Sequence, residues 1–347
     1  MTPTPPPEAP DGSAGLILRQ ARELVEPELH RAVGRLPASA RTVAGYHFGW
    51  WDRHGVPQSG ASGKALRPAL VLLACQGIGG RAEQALEAAT AVELVHNMSL
   101  LHDDVIDGDL LRRHRPAVWS VFGLPAAILA GDALLSLAGR VLSEAPGPVG
   151  AAGPGWLDDS VQQLVEGEFA DTAAEGRDDV TLAESMATAE AKTGSLIALS
   201  CALGALAGGA DPARTAHLRR FGHHAGAAFQ LVDDILGIWG DPRVTGKPHL
   251  SDLQSRKKSL PVVAALTGGG PASEELARLY RSPGPLTDTQ LDRAAVLVET
   301  AGGRAWAARE AERRTIEAVA ALEAAELAGP AHEGLLTLTR AITGHAH

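Results

Sequence analysis

The sequence contains few cysteines: only Cys75 and Cys201 occur among 347 residues. Both lie in apolar segments, so a disulfide framework is not expected, and a reducing compartment, the cytoplasm, is the predicted location. The predicted role of both thiols is that of small buried hydrophobic groups.

The sequence also lacks long apolar runs. The longest, residues 195–210, is diluted by serine and glycine and is shorter than the ~20 residues that a membrane-spanning helix needs, so no transmembrane segment is expected. Residues 1–15 are rich in proline and lack the basic start and apolar core of a signal peptide. We predict a disordered tail there.

Positive charge is not in excess: the sequence has 31 Lys and Arg residues and 41 Asp and Glu residues, which gives a net charge of −10. This balance argues against a general binder of nucleic acid or of anionic membranes. A polyanionic substrate would therefore have to bind at a local cluster of cations.

Alternating β-branched segments are nearly absent, whereas apolar residues recur at three- and four-residue spacing almost throughout. This pattern predicts an all-α protein, a single large helical bundle, with one domain over residues 16–347. Glycine and proline predict turns between the helices, including one at residues 145–155.

The first acidic segment, SLLHDDVIDGDLLRRHRP, spans residues 99–116. On a helix, Asp103 and Asp107 share one face and Asp104 lies beside them. Carboxylates this close repel each other, so a cation is expected, and Mg²⁺ suits a site of one or two carboxylates plus substrate phosphates. The apolar flanks argue against a merely solvated helix end, and an EF-hand fails because Val105 occupies a ligand position.

The second acidic segment, FQLVDDILGIWGDPRVTGKPHLSDLQSRKKSLP, spans residues 229–261. Gln230, Asp233 and Asp234 can share one helix surface, and a loop rich in glycine and proline follows. Its cations can hold phosphate oxygens by charge-assisted hydrogen bonds. They are Lys247, Arg256, Lys257 and Lys258. A solvated basic loop is the alternative interpretation of these residues taken alone.

More cations lie upstream and between the acidic segments. Lys64 and Arg67 are predicted at a helix start, where backbone N–H groups also favour an anion. Lys192 lies in an apolar helix, where an unpaired charge is costly, so it must reach solvent or meet an anion. His96, taken alone, is more often a core histidine than a ligand. Three arginines follow the first acidic segment: Arg112, Arg113 and Arg115.

Six of these segments resemble, in order, the motifs of the polyprenyl diphosphate synthase family, the trans-isoprenyl diphosphate synthases, over residues 63–261. SGKALRP resembles GGKRLRP, HDDVID the first Asp-rich motif DDxxD, and RRHRP the motif RRGxP. GDALLSLA resembles GDxLLxxA, EAKTGSL resembles KTxxL, and FQLVDDIL with GKPHLSDL and KKSLP resembles the second Asp-rich region. One such match would be weak support, whereas six in the same order are specific.

The resemblance implies an isoprenoid synthase fold with a central cavity, usually a homodimer, whose two Asp-rich motifs face each other. It implies Mg²⁺-dependent condensation of isopentenyl diphosphate with an allylic diphosphate (dimethylallyl, geranyl or farnesyl). The implied magnesium ligands are Asp103, Asp107 and Asp233, supported by Asp104, Asp234, Lys192 and Gln230. The allylic diphosphate would meet Arg112, Lys192, Lys247 and Lys257. Isopentenyl diphosphate would meet Lys64, Arg67, His96 and Arg113.

The sequence departs from the family pattern at two positions. Gly237 stands where the second motif ends in Asp, which predicts retained activity with weaker magnesium affinity. Arg256 stands where the family commonly has glycine, which leaves open whether Lys257 or Lys258 is the matching lysine.

Product length in this family is limited by a bulky aromatic residue just before the first motif. Here Val95, Met98 and Ser99 occupy those positions. One helical turn rises ~5.4 Å, about the length of an isoprene unit, so the absence of a ring implies a geranylgeranyl rather than a farnesyl product. The flexibility of methionine leaves a wider product range open.

Two other functions remain to be weighed. A class I terpene cyclase uses similar carboxylates but has no need of Lys64, Arg67 and Arg113. A non-catalytic partner subunit of a prenyl synthase would be expected to have lost carboxylates from the first motif, and this chain keeps all three.

Overall fold

The computed structural model describes residues 13–58, 63–242 and 248–344. Helices in its first half are α1 Ser13–Val33, α2 Ala38–Phe48, α3 Leu66–Ile78, α4 Leu86–Ile106, α5 Val118–Phe122, α6 Leu124–Ser143 and α7 Gly147–Glu175. A 3₁₀ turn, Ala82–Ala85, precedes α4. Two short strands, β1 Leu111–Arg112 and β2 Arg115–Pro116, form an antiparallel hairpin after α4.

Helices also dominate the second half. They are α8 Leu182–Ala189, α9 Ser195–Ala207, α10 Pro212–Trp239, α11 Ser251–Gln254, α12 Leu260–Thr267, α13 Pro271–Arg281, α14 Asp288–Thr300, α15 Gly303–Ala324 and α16 Pro330–Thr343. A π-helical turn, Glu190–Gly194, connects α8 directly to α9. The all-α prediction is confirmed.

The described chain divides into two compact units, each assembled from separate stretches of sequence. The first comprises the described parts of Met1–Gly155, together with Ser200–Thr215 and Leu327–Leu338. The second comprises Trp156–Leu199, Ala216–Glu326 and the described part of Thr339–His347.

Helix α4 lies at the centre of the first unit, where it packs against α1, α3, α5 and α6. Its middle is rich in alanine, valine and leucine, and it is buried almost all round, as expected of a helix without a polar face. Several of its polar residues, among them Glu93, Asn97 and Asp104, are buried as well.

In the second unit, α10 packs into two apolar clusters. One contains Ile238, Leu253 and Val262, and the other contains Leu231 and Leu260. These clusters bring α11 and α12 against the C-terminal turns of α10. The second acidic segment therefore begins on a firmly packed helix.

Helix α6 is, among the described helices, the one long and apolar enough to cross a membrane. It packs against α2, α4 and α5, and core helices of this length and composition satisfy the same criterion. One face of α6 nevertheless exposes Leu124, Ile128 and Leu129.

Two predicted boundaries are corrected. Helix α1 begins at Ser13, so the predicted tail over residues 1–15 loses its last three residues, and residues 1–12 lie outside the described part. Ala14 and Gly15 are half-buried, so packing offsets the low helix propensity of glycine.

The predicted turn at residues 145–155 is wrong over most of its length because α7 begins at Gly147 and continues through Pro154. Val149, Gly153 and Leu157 are buried at four-residue spacing. Burial of this stripe outweighs the unfavourable helix propensities of glycine and proline.

We expect Gly204→Ala to destabilise the protein by about 2 kcal/mol or more, because overpacking at a rigid contact forces helices apart. A methyl group at Gly204 in α9 would lie 2.2 Å from the carbonyl oxygen of Val71 in α3. The control is Gly139→Ala in α6, where no atom lies within 4 Å, and a gain of ~0.5 kcal/mol is expected. Denaturant unfolding measures both, and equal effects would contradict the predicted close contact.

Candidate active site

The first acidic cluster lies at the C-terminal end of α4, where its three carboxylates have different surroundings. Asp103 is half-buried, Asp107 is the exposed C-cap residue, and Asp104 is buried. Arg112 Nε donates to Asp104 Oδ1 at 2.7 Å, and Arg112 Nη2 contacts the same oxygen. Burial raises the pKa of Asp104, and the guanidinium of Arg112 opposes that rise. Asp104 therefore turns inward toward a cation.

The β1–β2 hairpin separates Arg112 from Arg113. Its turn residues Arg113 and His114 adopt left-handed backbone conformations, with φ of 52° and 61°, which are uncommon for residues other than glycine. Arg112 contacts Asp104, whereas the Arg113 guanidinium lies beside Gly63, where an added Cβ would be 2.8 Å from Nη2. The turn thus directs two adjacent arginines to different places.

Arg115 anchors this hairpin to the segment around α2. Its guanidinium donates to the carbonyl oxygens of Tyr46, at 3.1 Å, and Trp51, at 3.2 Å, and lies 4.5 Å from the centre of the Tyr46 ring. The Tyr46 hydroxyl in turn donates to the carbonyl oxygen of Pro116 at 2.9 Å. These contacts of Arg115 hold the hairpin in place.

A buried polar chain runs along α4 beside these arginines. Asn97 Nδ2 donates to Glu93 Oε1 at 3.0 Å, and Asn97 Oδ1 lies 3.1 Å from His47 Nε2. Because the Asn97 amide group already donates to Glu93, its oxygen accepts from His47, which must carry its proton on Nε2. Burial, aided by Arg113 and Arg112, lowers the pKa of His47 to about 3. His47 is therefore neutral.

The cations predicted to meet isopentenyl diphosphate lie in the same unit. Arg67 is the second residue of α3, and its Nε is buried without a hydrogen-bond partner among the described residues. Lys64 is exposed just before α3. The pKa of His96 is well below its usual value because of burial and because Arg67 lies nearby. Arg22 of α1 adds a contact to this loop, since its Nη2 donates to the Gly63 carbonyl at 2.8 Å.

In the second unit, a chain of hydrogen bonds leads to Asp234. Thr193 Oγ1 donates to Gln230 Oε1 at 2.6 Å, and Gln230 Nε2 donates to Asp234 Oδ1 at 2.8 Å. The Leu260 backbone N–H donates to Asp234 Oδ2 at 2.9 Å, and Lys257 Nζ lies 3.7 Å from Oδ1. Asp234 is buried, whereas Asp233 is partly exposed. Gln230 and Asp234 are thus brought together as the sequence predicts.

Lys192 lies in the π-helical turn Glu190–Gly194, and its side chain forms ion pairs with two carboxylates. Its Nζ lies 2.7 Å from Glu168 Oε2 and 2.9 Å from Asp171 Oδ2, both in α7. The turn lies against the backbone of α7, because a Cβ on Gly167 would be 2.7 Å from the Lys192 nitrogen. Isolated π-helical turns are frequent at functional sites.

The structure distinguishes the two lysines of the KKSLP segment. Lys257 lies beside Asp234, and this carboxylate is the main cause that raises the pKa of Lys257. Burial lowers the pKa of Lys258, and the charges that act on that pKa are those of Asp178, Arg177 and Asp179. Arg256, at φ 53°, turns away and donates to Ser282 Oγ at 3.1 Å. Lys257 is therefore the lysine that lies beside the second acidic cluster, and Lys247 lies outside the described residues.

The donor set fits magnesium. Within residues 13–58, 63–242 and 248–344, no three acidic or histidine side chains converge to enclose an ion. Magnesium prefers carboxylate oxygen and usually completes its shell with water and substrate phosphates, so pairs of aspartates suffice. Asp104 Oδ2 is also buried without a hydrogen-bond partner in the described chain, which leaves an acceptor available.

Comparison with known proteins identifies the family of the chain. A family model described as polyprenyl synthetase matches residues 57–297. The chain belongs to the polyprenyl synthetase family. The resemblance seen in the sequence is confirmed.

Relatives of this polyprenyl synthetase cover most of its length. It is 47% identical over 307 residues, 88% of each chain, to a geranylgeranyl diphosphate synthase of Mycobacterium tuberculosis. It is 46% identical over 306 residues, 87% of this chain and 85% of the relative, to a (2E,6E)-farnesyl diphosphate synthase of the same species. The crystal structure of a polyprenyl synthetase from Streptomyces coelicolor superposes with a TM-score of 0.89 at 44% identity, covering 94% of this chain and 98% of that one. The predicted isoprenoid synthase fold is confirmed.

The polyprenyl synthetase also contains polar residues that sequence reasoning missed. They are Arg22, His47, Glu93, Asn97, Glu168, Asp171 and Thr193. Two spacings could have signalled some of them: Glu93 and Asn97 are four apart on an apolar helix, and Glu168 and Asp171 are three apart on α7. Nothing local signals Arg22 or His47, because their partners lie far away in sequence.

We expect His47→Gln to reduce the acid sensitivity of the polyprenyl synthetase. The folded protein keeps His47 neutral, with a pKa of about 3, whereas the unfolded chain protonates it below its ordinary value of 6.5. Stability is therefore lost as pH falls through that window, by ~2 kcal/mol between pH 7 and pH 5. Glutamine keeps a donor for Asn97 but does not titrate, so the loss over this range should shrink by about that amount.

Chemical unfolding at pH 7 and pH 5 measures this effect, with the exposed His54→Gln as control. His54→Gln should lose as much stability as the parent. His96 acts in the same direction as His47, so some acid sensitivity will remain in His47→Gln. An unchanged difference between the two pH values in His47→Gln would contradict the prediction.

Proposed function

We propose that this polyprenyl synthetase, a trans-prenyltransferase, condenses isopentenyl diphosphate with an allylic diphosphate and releases mainly geranylgeranyl diphosphate. The observation that carries the product assignment is on α4. Val95 and Met98 are buried within about two turns of Asp103, and neither is aromatic. The relatives named above include both geranylgeranyl and farnesyl synthases. We assign the choice between the two products to these side chains.

In this proposal Asp103, Asp107 and Asp233 bind magnesium, which when bound supplies positive charge to stabilise the departing diphosphate. Asp104 and Asp234 have a different task. Each is buried and paired with a cation, Arg112 or Lys257, so each orients that cation rather than binding metal alone.

Two diphosphates are held by separate cations. The allylic diphosphate binds to Arg112, Lys192, Lys247 and Lys257. Lys192 and Lys257 now pair with carboxylates, and the diphosphate would either displace these carboxylates or bind the lysines alongside them. Lys64, Arg67, His96 and Arg113 bind isopentenyl diphosphate. The divergence of Arg112 and Arg113 at the hairpin supports this division. His96, being neutral, can donate a hydrogen bond without adding charge.

The reaction needs no protein nucleophile. The carbon–oxygen bond to the allylic diphosphate breaks, and its electron pair leaves with the diphosphate. The double bond of isopentenyl diphosphate then forms the new carbon–carbon bond to the allylic cation. A proton leaves the adjacent carbon for the released diphosphate, which restores a double bond. The positive side chains lower the barrier by being in place before charge develops.

We expect Met98→Phe to shorten the product from geranylgeranyl to farnesyl diphosphate, because the ring would fill about one isoprene length of α4 surface. The matched control is Met186→Phe, which places the same change in an apolar cluster of α8. Its product distribution should equal that of the parent. Chain-length analysis measures both variants, and an unchanged distribution in Met98→Phe would contradict the floor assignment.

The activity itself is tested with purified protein, Mg²⁺, isopentenyl diphosphate and each allylic primer in turn, followed by sizing of the products. Asp103→Asn and Asp233→Asn should each lower kcat by about 10²-fold or more, because each removes charge that stabilises the leaving group. Incubation with geranylgeranyl diphosphate alone should yield no hydrocarbon. A cyclised hydrocarbon would overturn the proposal in favour of a terpene cyclase.

We also propose a cytoplasmic homodimer whose interface includes the apolar face of α6. Leu124, Ile128 and Leu129 are exposed there at helical spacing, and a second copy of the chain would cover them. Leu129→Lys should shift the molar mass measured by light scattering toward the monomer, whereas Ile316→Lys, on exposed α15 surface, should not. A parent that is monomeric at micromolar concentration would refute this interface.

A further inference from the structure

The π-helical turn that carries Lys192 is also held through its first residue, Glu190. The Glu190 carbonyl oxygen accepts from the Ser195 N–H, which is the hydrogen bond that closes the turn. Its carboxylate oxygen Oε1 contacts Nη2 of Arg314 in α15, which lies 124 positions further along the chain. Glu190 therefore joins the start of the turn to a distant helix.

Arg314 is itself fixed by two further groups. Its Nε donates to Oε1 of Glu310, one turn earlier in α15, at 3.0 Å, and its Nη1 lies 3.4 Å from Nδ1 of His224 in α10. A guanidinium is planar and its donors have a rigid arrangement, so contacts with the turn, with α10 and with its own helix fix its place. The side chains of Arg314 and Glu190 are 13% and 26% exposed, which limits the screening of their charges.

The turn is held on a second side by Lys192. Residues two apart on a helix do not face each other, so Glu190 and Lys192 leave the turn in different directions. Lys192 Nζ reaches Glu168 and Asp171 in α7, at 2.7 Å and 2.9 Å. The turn is therefore attached to α15 through Glu190 and to α7 through Lys192.

The conformation of the turn determines where Lys192 lies. A π-helical turn is rare, and an unusual backbone conformation persists only where the surrounding structure holds it. The far end of the turn is held by Thr193, whose Oγ1 donates to Gln230 Oε1 at 2.6 Å. If the start of the turn relaxed to a regular α-helix, Lys192 would rotate about the helix axis by up to about 100°, the angle of one residue. That rotation would take its ammonium group away from α7.

We propose that Arg314 is a positioning residue for prenyl transfer: through Glu190 it keeps the π-helical turn in the conformation that directs Lys192 to the allylic diphosphate. The inference rests on the proposed function, which assigns Lys192 to that diphosphate. Arg314 acts on the turn and does not contact the substrate. It lies in α15, beyond the six motifs that end at residue 261.

The test measures KM for each substrate separately, with the full chain, Mg²⁺ and farnesyl diphosphate as the allylic primer. Arg314→Ala should raise KM for farnesyl diphosphate by about 10-fold, as is typical when a group that orients a binding residue is lost. KM for isopentenyl diphosphate should stay within about 2-fold of the parent, because Lys192 is not among the residues assigned to it. A merely structural role of Arg314 would not separate the two substrates.

A conservative variant and a matched control accompany this measurement. Arg314→Lys keeps the charge but loses the rigid arrangement of donors, so KM for farnesyl diphosphate should rise by only about 3-fold. The control is Arg293→Ala, because Arg293 in α14 likewise pairs with an acid of another helix, Glu275 in α13, at 2.7 Å. It should leave both KM values within about 2-fold of the parent, since the pair lies away from the turn.

Double variants test whether the effect passes through Glu190 and Lys192. Glu190→Gln alone should raise KM for farnesyl diphosphate by about 3-fold, because glutamine keeps an acceptor but loses the charge. Added to Arg314→Ala, it should cause no further rise, because both changes remove the same contact. In a Lys192→Ala background, Arg314→Ala should raise this KM by less than about 2-fold.

Three results would overturn the inference: a parental KM for farnesyl diphosphate in Arg314→Ala, an equal rise in KM for both substrates, or a further rise of about 10-fold when Arg314→Ala is added to Lys192→Ala. Tm reports whether each variant folds. If Arg314→Ala does not fold, Glu190→Gln, which keeps the size of the side chain, carries the test, and a parental KM there refutes the inference. An active parent with parental KM in Arg314→Ala refutes only the role of Arg314, whereas an inactive parent refutes the proposed function.

Discussion

Carboxylates gathered on largely buried helices must be balanced by positive charge, and both acidic clusters are built around this requirement. In each, the most buried acid is paired with a cation from the segment that follows its helix: Asp104 with Arg112, and Asp234 with Lys257. Removing either cation would leave a buried charge uncompensated, which is far more costly than losing a surface ion pair. The hairpin after α4 and the loop into α12 are therefore part of the charge balance of the two clusters.

The acids of each cluster differ in how far they are buried. Asp103, Asp107 and Asp233 are more exposed than their buried neighbours Asp104 and Asp234. A divalent ion that keeps part of its water shell suits such partly exposed positions. In each cluster, therefore, the buried acid orients a cation, and the neighbouring acids are more accessible to solvent.

The backbone conformation determines where several of the cationic side chains lie. Two consecutive left-handed residues, Arg113 and His114, separate the side chains of Arg112 and Arg113 although the two are adjacent in sequence. A π-helical turn similarly sets Lys192 apart from the regular face of its helix. Such conformations are costly unless the surrounding structure holds them, and here Arg115 and the close contact at Gly167 do so.

The sequence by itself determined the helical class, the family and the positions of both acidic segments, because helical periodicity and closely spaced motifs are local properties of the chain. It could not determine that α7 extends back to Gly147, since burial of a stripe of residues there overrides glycine and proline. It also could not choose between Lys257 and Lys258, reveal Glu93 and His47, or show that Arg314 pairs with Glu190. Those features depend on which distant residues the packed helices bring into contact, and only the tertiary structure decides that.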